Sequence, residues 1–314
     1  MIFLQRRPLF VLIGPTAVGK TSLSIEIAKK INGEIISADS MQVYKYLNIG
    51  TAKIRPEEAQ GIPHHLVNIK KPTESFSVAE FKKLAEEKIS EIYNKKKLPM
   101  LVGGTGLYVN SVINDYNFTE IDSSQKIRAD LKKIVLEQGI ETLLAKLNEI
   151  DPISAQKFHP HDQRRIIRAL EVYYSTGKPI SQNQITSNGD NTKYKLIIVG
   201  LNLAREKLYQ RINFRVDEML KEGWLSEIEN LLQHGVPIDA PGLQGLGYKQ
   251  LVMYLEGWLT YEEAVELIKR DTRRFAKRQL TWFNRDKRIY WVQMDNRNEN
   301  EALEEILSYL GRSI

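Results

Sequence analysis

The sequence contains no cysteine among its 314 residues. This absence excludes disulfide bonds, thiolate catalysis and zinc sites built on cysteine, and it is typical of proteins from a reducing cytoplasm. The sequence also lacks any apolar run near the roughly 20 residues that a membrane-spanning helix requires. We therefore predict a cytoplasmic protein with no membrane partner.

The first 13 residues place two arginines before an apolar stretch, an arrangement that secretory signal peptides share. The apolar residues 9–13 run directly into a phosphate-binding motif, which cleavage would destroy. We therefore interpret this stretch as the first strand of the core.

Residues 14–21 read GPTAVGKT and match the phosphate-binding pattern G-x-x-x-x-G-K-[ST]. Such a loop surrounds phosphate oxygens with backbone N–H groups and with the N-terminus of the following helix. The Lys20 ammonium can reach the outer phosphate, and the Thr21 hydroxyl can ligate Mg²⁺. The residues predicted to bind phosphate are Gly14, Pro15, Thr16, Ala17, Val18, Gly19, Lys20 and Thr21.

Strand and helix patterns alternate in the first part of the chain. Apolar runs at 9–13, 34–37 and 100–102 predict strands, and helical spacing predicts helices at 21–30 and 78–93. This alternation favours an α/β fold with a doubly wound parallel sheet. With the phosphate motif after the first strand, we predict a P-loop NTPase-like core flanked by helices.

Between residues 121 and 194 the strand signals stop. Three amphipathic helices are predicted there, the third with Asp162 as its N-cap and Gly177 at its end, before a flexible loop. Predicted elements resume with a strand at 196–199, helices at 204–222, 224–234, 247–256 and 261–284, a strand at 289–294 and a helix at 299–310. We therefore predict a core of residues 1–120 and 195–314 with an all-helical insertion domain, 121–194.

The second predicted strand leads into Asp39 and Ser40. Open α/β sheets bind ligands outside the carboxyl ends of their strands, so Asp39 is predicted to lie beside the phosphate loop. A carboxylate in that place can bind Mg²⁺ or act as a general base. Because Asp-Ser is also common in turns, a turn or helix-capping role for Asp39 is the alternative.

The strand at 100–102 does not end in the Mg²⁺-binding aspartate of many P-loop NTPases. It is followed by Gly103, Gly104, Thr105 and Gly106. Glycines let a ligand approach the backbone closely, and the Thr105 hydroxyl is a neutral donor to a phosphate oxygen. We expect this turn to contact the ligand, with a plain turn as the alternative.

Positive charge is concentrated near the carboxyl terminus. The whole chain has a net charge of +6, and residues 269–288 alone contain nine basic residues and two acidic ones. Phe275, Trp282 and Phe283 lie among them. Basic residues interleaved with aromatic ones are typical of a helix that binds a nucleic-acid backbone, whereas a solvated helix face is the alternative.

Several segments together resemble the bacterial type of the tRNA dimethylallyltransferase (tRNA isopentenyltransferase) family, in family order over nearly the whole chain. They are GPTAVGKT (14–21), ISADSMQVYKYLNIGTAK (36–53), PHHLV (63–67), LVGGTGLYV (101–109), HPHDQRRIIRALEVY (159–173), RINFRVDEML (211–220), GLGYKQ (245–250) and RRFAKRQLTWF (273–283). The zinc finger of longer eukaryotic members is absent, as the lack of cysteine requires.

The resemblance implies transfer of a dimethylallyl group from dimethylallyl diphosphate to N6 of the adenosine 3′-adjacent to a tRNA anticodon, with pyrophosphate released. The diphosphate would lie in the loop at 14–21, with Mg²⁺ held near Thr21. Asp39 would act as the general base, and Lys20, Thr105 and Arg215 would donate to the leaving group. The implied partners are dimethylallyl diphosphate and the anticodon stem-loop of tRNA, and the enzyme is expected to be a monomer.

The same resemblance assigns tRNA contacts to five groups of residues, and it implies that the helical insertion clamps the stem-loop opposite the C-terminal helices. The assigned residues are Asp39, Ser40, Met41 and Gln42; Thr105; Gln163, Arg164, Arg165, Ile166 and Ile167; Leu246, Gly247, Tyr248 and Lys249; and Arg273, Arg274, Lys277, Arg278, Gln279 and Leu280.

Three other functions stay open at this point. An adenylate isopentenyltransferase acting on free AMP or ATP would share the phosphate loop and Asp39, but would need neither the basic helix nor the insertion. A small-molecule kinase is disfavoured by the Gly-Gly-Thr turn and by the lack of a recognisable lid. A non-catalytic RNA-binding module would leave the phosphate loop without a purpose.

Overall fold

The computed structural model describes residues 6–116, 125–183, 193–295 and 297–313. The helices and strands of these ranges are β1 (Arg7–Ile13), α1 (Lys20–Ile31), β2 (Gly33–Ala38), β3 (His64–His65), α2 (Val78–Asn94), β4 (Leu98–Gly103), α3 (Gly106–Ile113), α4 (Gln125–Gln138), α5 (Ile140–Ile150), α6 (Pro152–Lys157), α7 (Gln163–Thr176), α8 (Ile180–Asn183), β5 (Tyr194–Asn202), α9 (Arg205–Lys221), α10 (Trp224–Gln233), α11 (Tyr248–Leu255), α12 (Tyr261–Phe283), β6 (Tyr290–Gln293) and α13 (Glu299–Ser313), with a 3-10 turn at Pro241–Gln244.

The chain divides into two compact units. Unit 1 comprises residues 1–113 and 192–314, and unit 2 comprises residues 114–191. Within the described residues, unit 2 contains helices α4 to α8 and no strand. The sequence predicts two domains with boundaries at residues 120 and 195. That these two parts fold separately stays a prediction.

In the described part of unit 1, six parallel strands form one sheet in the order β3-β2-β4-β1-β5-β6. Strand β1 lies between β4 and β5 and is buried on both faces. Phe10 and Leu12 pack with α1 and α13, whereas Leu9 and Val11 pack with α2 and α3. Burial on both faces explains the continuous apolar run of this strand. The predicted α/β fold with a parallel sheet flanked by helices is confirmed.

Strand β3 was not predicted from the sequence. It consists of His64 and His65, which pair with Ile35 and Ile36 of β2. Two residues are too few for an alternating pattern, so only the tertiary structure identifies them as a strand. No helix among the described residues is long and apolar enough to cross a membrane.

A buried carboxylate anchors the edge of the sheet at the amino end of β2. The Glu34 side chain is 2% exposed and accepts hydrogen bonds from His65 at 2.7 Å, Lys97 at 2.9 Å and Lys95 at 3.0 Å. Burial raises the pKa of Glu34, but the hydrogen bonds from these three side chains outweigh burial and lower the pKa to about 2. The cluster therefore stabilises the ionised carboxylate in the folded state.

We expect Glu34→Gln to lower the free energy of unfolding at pH 7 by about 2–3 kcal/mol, because removing one partner of a buried ion pair costs about 3–5 kcal/mol and the lysines here are partly hydrated. The pKa of Glu34 is lower in the folded state, so this stabilisation is present above the unfolded pKa of about 4.5 and is lost as the pH falls toward 2. Urea unfolding at pH 7 and near pH 3 measures both effects. An equal loss at the two pH values would contradict the prediction.

The third predicted helix of unit 2 is confirmed with its two ends. The Asp162 carboxylate accepts a hydrogen bond from the Arg165 N–H at the start of α7, and Gly177 ends the helix with a left-handed φ of 69°. The predicted flexible loop at 177–193 is wrong at its start, because residues 180–183 form α8. Its amide at Ser181 donates to the buried Asp151 carboxylate, and residues 184–192 lie outside the described residues.

Candidate active site

The phosphate loop lies at the carboxyl end of the sheet, between β1 and α1. Gly14 has a φ of 152°, and a Cβ atom there would come within 2.8 Å of the Leu201 carbonyl oxygen. Gly19, with a φ of 104°, immediately precedes α1. Both positions therefore favour glycine. The first N–H groups of α1 have no partner within the helix, which makes this end suitable for binding an anion.

Lys20 folds back over the loop. Its Nζ atom donates to the carbonyl oxygens of Gly14 at 2.9 Å and Pro15 at 2.8 Å. Burial lowers the pKa of Lys20 to about 8; the Asp39 carboxylate opposes this shift and the Arg215 guanidinium adds to it. At neutral pH the ammonium is therefore mostly charged, and neutral carbonyl groups are its hydrogen-bond acceptors.

A cleft of about 800 Å³ opens beside the loop. It is lined by residues 16–22 of the loop and α1, and by Asp39, Gln42, Arg211 and Arg215. The Arg215 guanidinium belongs to α9, and burial lowers its pKa against the opposing effect of Asp39. Three of the predicted catalytic residues, Lys20, Asp39 and Arg215, therefore line the same cleft.

The contacts of Asp39 show one of the roles that the sequence left open and leave room for the other. Its Oδ1 atom accepts hydrogen bonds from the backbone N–H groups of Met41 at 2.8 Å and Gln42 at 3.3 Å, which is the predicted turn role. Its Oδ2 atom accepts no hydrogen bond from the described residues. Since Asp39 lines the cleft, one carboxylate oxygen orients the side chain and the other is available to a ligand.

Thr105 lies next to the turn that carries Asp39. Its Oγ1 atom accepts a hydrogen bond from the Ser40 N–H at 3.1 Å and lies 3.5 Å from the Ser40 hydroxyl. Among the described residues, Gly104 lines the cleft and Thr105 does not. The contact with Ser40 makes Thr105 a support for the Asp39 turn, while its role as a donor to the leaving group stays a prediction.

The glycines around Thr105 make room for other parts of the protein, and contact of this turn with a ligand stays a prediction. A Cβ atom on Gly103 would lie 2.3 Å from the Ala38 carbonyl oxygen of the neighbouring strand. On Gly104 it would lie 2.2 Å from Nε2 of Gln279, and on Gly106 it would lie 2.4 Å from the Trp282 ring. The glycine-rich turn is thus the surface on which α12 packs.

Glu227 supports a wall of the cleft without lining it, and the sequence did not predict this role. Its carboxylate accepts hydrogen bonds from the backbone N–H groups of Asn48 at 2.7 Å and Ile49 at 2.8 Å, and from the Tyr248 hydroxyl at 2.6 Å. It therefore holds the 48–50 wall of the cleft against α10 and α11. No local sequence signal indicates this role, because Glu227 and Asn48 are 179 positions apart.

The residues at the loop fit a magnesium ion shared with a ligand. Thr21 lies in the first turn of α1 and lines the cleft with Asp39. The described residues contain no group of three or more His, Cys, Asp or Glu side chains that could hold a metal ion by themselves. Mg²⁺ is usually bound by one or two protein oxygens together with phosphate oxygens and water, so a hydroxyl beside a phosphate-binding loop suits it.

Helix α12 presents a basic face. Arg274, Lys277 and Arg278 are exposed at helical spacing, whereas Arg273 is half-buried and donates to Asn213 Oδ1. Lys277, together with the half-buried Leu280, lines a smaller cavity of about 290 Å³ against α9. The three exposed cations are accessible to a polyanion, whereas the half-buried Arg273 is less so.

The structure separates the predicted tRNA contacts into exposed and buried residues. Four predicted side chains lie inside the protein: Ile166, Ile167, Tyr248 and Gln279. Others are exposed: Gln163, Arg164, Arg165, Lys249, Arg274, Lys277 and Arg278; Ser40, Met41, Gln42, Leu246, Arg273 and Leu280 are half-buried, and Gly247 is buried beneath the Trp224 ring. These four side chains take part in packing and hydrogen bonding within the protein, and Gln279 also lines the cleft. Their contacts with tRNA stay predictions.

Residues 42–286 match the sequence model of the family described as IPP transferase. A tRNA dimethylallyltransferase of Carboxydothermus hydrogenoformans is 52% identical over 303 residues, which cover 96% of this chain and 97% of that protein. One of Symbiobacterium thermophilum is 52% identical over 304 residues, covering 96% of this chain and 95% of that protein.

Solved structures agree with this match. The tRNA isopentenylpyrophosphate transferase of Bacillus halodurans has a TM-score of 0.74 at 44% sequence identity, covering 98% of this chain and 97% of its own. A eukaryotic dimethylallyltransferase that was captured acting on tRNA has a TM-score of 0.82 at 31% identity, covering 98% of this chain and 80% of its own.

Proposed function

This chain belongs to the IPP transferase family, the tRNA dimethylallyltransferases, and from that premise we propose how its cleft performs the reaction. The enzyme transfers a dimethylallyl group from dimethylallyl diphosphate to N6 of the adenosine 3′-adjacent to the anticodon of a tRNA, and pyrophosphate leaves. The observation that carries the mechanism is the meeting of Lys20, Arg215 and Asp39 in one cleft at the phosphate loop.

The loop at 14–21 binds the diphosphate of the prenyl donor. Its amides and the N-terminus of α1 receive the phosphate oxygens. The Lys20 ammonium exchanges the carbonyl oxygens of Gly14 and Pro15 for phosphate oxygens, which are charged and therefore stronger acceptors. Thr21 would hold Mg²⁺ at this diphosphate, where the ion would supply additional charge neutralisation.

Negative charge grows on the bridging oxygen as the allylic C–O bond breaks. Lys20 and Arg215 lie in the cleft as cations and stabilise that charge. The role of Thr105 as a further donor rests on the family pattern alone. Both cations are placed before the reaction, so no solvent has to reorganise as the charge develops.

Asp39 removes the proton from the adenine amine. An exocyclic amine is a poor nucleophile until a base takes its proton during bond formation. The Oδ1 atom is held by the Met41 and Gln42 amides, which leaves Oδ2 for this proton. The target adenine is stacked in its loop, so it must be flipped out to reach the cleft.

The exposed basic face of α12 supports tRNA over free AMP as the acceptor. Cations on a helix face bind a phosphate backbone, which a mononucleotide does not have. The anticodon stem-loop is the partner that this face would hold. The exposed residues of α7 stay predicted tRNA contacts. A monomeric enzyme in the cytoplasm stays a prediction.

A competition assay tests the acceptor. The purified protein, Mg²⁺ and labelled dimethylallyl diphosphate are incubated with unmodified tRNA and free AMP together. We expect the label in tRNA, released as N6-dimethylallyladenosine on digestion. A matched tRNA with another base 3′-adjacent to the anticodon should take up no label. Label that accumulates on AMP alone would mean that tRNA is not the acceptor.

We expect Arg274→Ala to raise the dissociation constant for tRNA several-fold, because one phosphate contact is lost. The slope of log K for tRNA binding against log[salt] should become shallower by about one, since one counterion fewer is released. Affinity for pyrophosphate should not change, since the Arg274 side chain is 62% exposed on α12 and does not line the cleft. Filter binding at several salt concentrations measures the effect.

Lys30→Ala is the matched control for Arg274. Lys30 is an exposed cation in the last turn of α1, away from the phosphate loop, and its removal changes the net charge equally. If Lys30→Ala weakens tRNA binding as much as Arg274→Ala, the effect reflects overall charge and the α12 contact is refuted.

A further inference from the structure

Gln279 connects two segments of the cleft from the buried side of α12. Its side chain is 7% exposed. Its Oε1 atom accepts a hydrogen bond from the Thr16 N–H of the phosphate loop at 2.9 Å, and its Nε2 atom donates to the Gly104 carbonyl oxygen at 2.9 Å. One carboxamide therefore joins α12 to the loop after β1 and to the turn after β4.

The fit around this carboxamide is close. A Cβ atom on Gly104 would lie 2.2 Å from Gln279 Nε2, so only glycine leaves the side chain in place. One turn further along α12, Trp282 lies over Gly106 in the same way. With its Oε1 and Nε2 atoms both bonded to backbone groups within the protein, Gln279 differs from its exposed neighbours Lys277 and Arg278.

The phosphate loop needs such support because part of its backbone is strained. Ala17, which follows Thr16, has a left-handed φ of 64°. A residue with a Cβ atom in this region costs about 1–2 kcal/mol, and it persists only where the surroundings determine it. The Gln279 carboxamide holds the backbone N–H of Thr16, the residue before this strained one.

We propose that Gln279 is a positioning residue for the donor: it holds the phosphate loop in the form that binds the diphosphate and does not contact tRNA. The inference rests on the proposed binding of the diphosphate at residues 14–21. It gives a residue inside the basic tRNA-contacting segment a role in binding the other substrate.

The test is Gln279→Met, which keeps the length of the side chain and removes both hydrogen bonds. We expect the dissociation constant for Mg²⁺-pyrophosphate, measured by titration calorimetry, to rise about tenfold, as the loss of a hydrogen bond near the upper end of the usual range predicts. The KM for dimethylallyl diphosphate should rise with it while kcat falls less than about threefold. The dissociation constant for tRNA should stay within about twofold of wild type.

Gly104→Ala tests the same contact without changing α12, because the added methyl group displaces the Gln279 carboxamide. It should also weaken pyrophosphate binding about tenfold. The Gln279→Ala variant has no carboxamide beside Gly104, so the added methyl group has nothing to displace. In that variant, Gly104→Ala should raise the dissociation constant for pyrophosphate by less than about twofold more. Thr281→Ala, an exposed change on the same helix, is the control that leaves both substrates unaffected.

Two results would overturn the inference. If Gln279→Met binds pyrophosphate as wild type does but loses affinity for tRNA, then Gln279 is a tRNA contact after all. If wild-type protein itself does not bind pyrophosphate, the proposed diphosphate site fails and the inference falls with it. Circular dichroism of each variant at the assay temperature shows that the compared proteins are folded.

Discussion

Asp39→Asn is expected to lower kcat by about 10³-fold, within the range that a general base contributes. Asparagine retains an Oδ1 atom that accepts the hydrogen bonds from Met41 and Gln42, so the turn stays in place. Only the ability to take a proton is lost. Dissociation constants for pyrophosphate and tRNA should therefore change less than about twofold.

Single-turnover measurements with saturating tRNA and donor isolate this chemical step from product release. Asp39→Ala is the companion variant, because it removes the turn hydrogen bonds as well as the base. It should be at least as slow as Asp39→Asn and should also lose some affinity for tRNA. Wild-type turnover in Asp39→Asn would exclude Asp39 as the base and leave it only its role in the turn.

Lys20→Met is expected to lower kcat/KM for dimethylallyl diphosphate by about 10²–10³-fold, because one preorganised donor to the leaving group is removed. The side chain keeps similar bulk, and tRNA binding should be unchanged. Titration of pyrophosphate into the variant separates weaker binding of the diphosphate from slower chemistry. Equal kcat/KM values for variant and wild type would exclude Lys20 from the leaving-group site.

The pH dependence provides a second measurement on the same residue. Burial lowers the pKa of Lys20 in the free enzyme to about 8. The ammonium is therefore charged below that pH and attracts the diphosphate, and the attraction is lost as the pH rises through 8. Pyrophosphate ionises over the same range, so the informative quantity is the difference between wild type and Lys20→Met. That difference should shrink above pH 8; a constant difference up to pH 9.5 would contradict the assignment.

Local patterns predicted much of the fold because the forces behind them act over short distances along the chain. The apolar run of β1 and the spacing of apolar residues in α2 predicted those elements near their observed bounds. The Asp162 cap and the Gly177 end of α7 were read correctly for the same reason. Strand β3 was missed because its two residues have strand geometry only through pairing with β2.

The cleft was predicted in part. Topology alone brings Asp39 to the phosphate loop, because parallel strands end at one edge of the sheet. The packing of α12 on the turn after β4 was not predictable, since Gln279 and Gly104 are 175 positions apart. Because the sequence does not reveal that contact, the glycines around Thr105 predicted only a contact with a ligand. For the same reason, Gln279 was grouped with its exposed neighbours on the same helix.

The sequence by itself determined the phosphate-binding loop, the α/β class and the family, because motif residues and apolar periodicity are written in neighbouring positions. The tertiary structure alone decided which of the predicted residues are available to a substrate. Exposure of Arg274 and burial of Gln279 depend on how α12 packs against α9 and against the turn after β4. Such contacts join residues that no local pattern connects. The same chain segment thus presents exposed cations on one face and contacts the phosphate loop through Gln279 on the other.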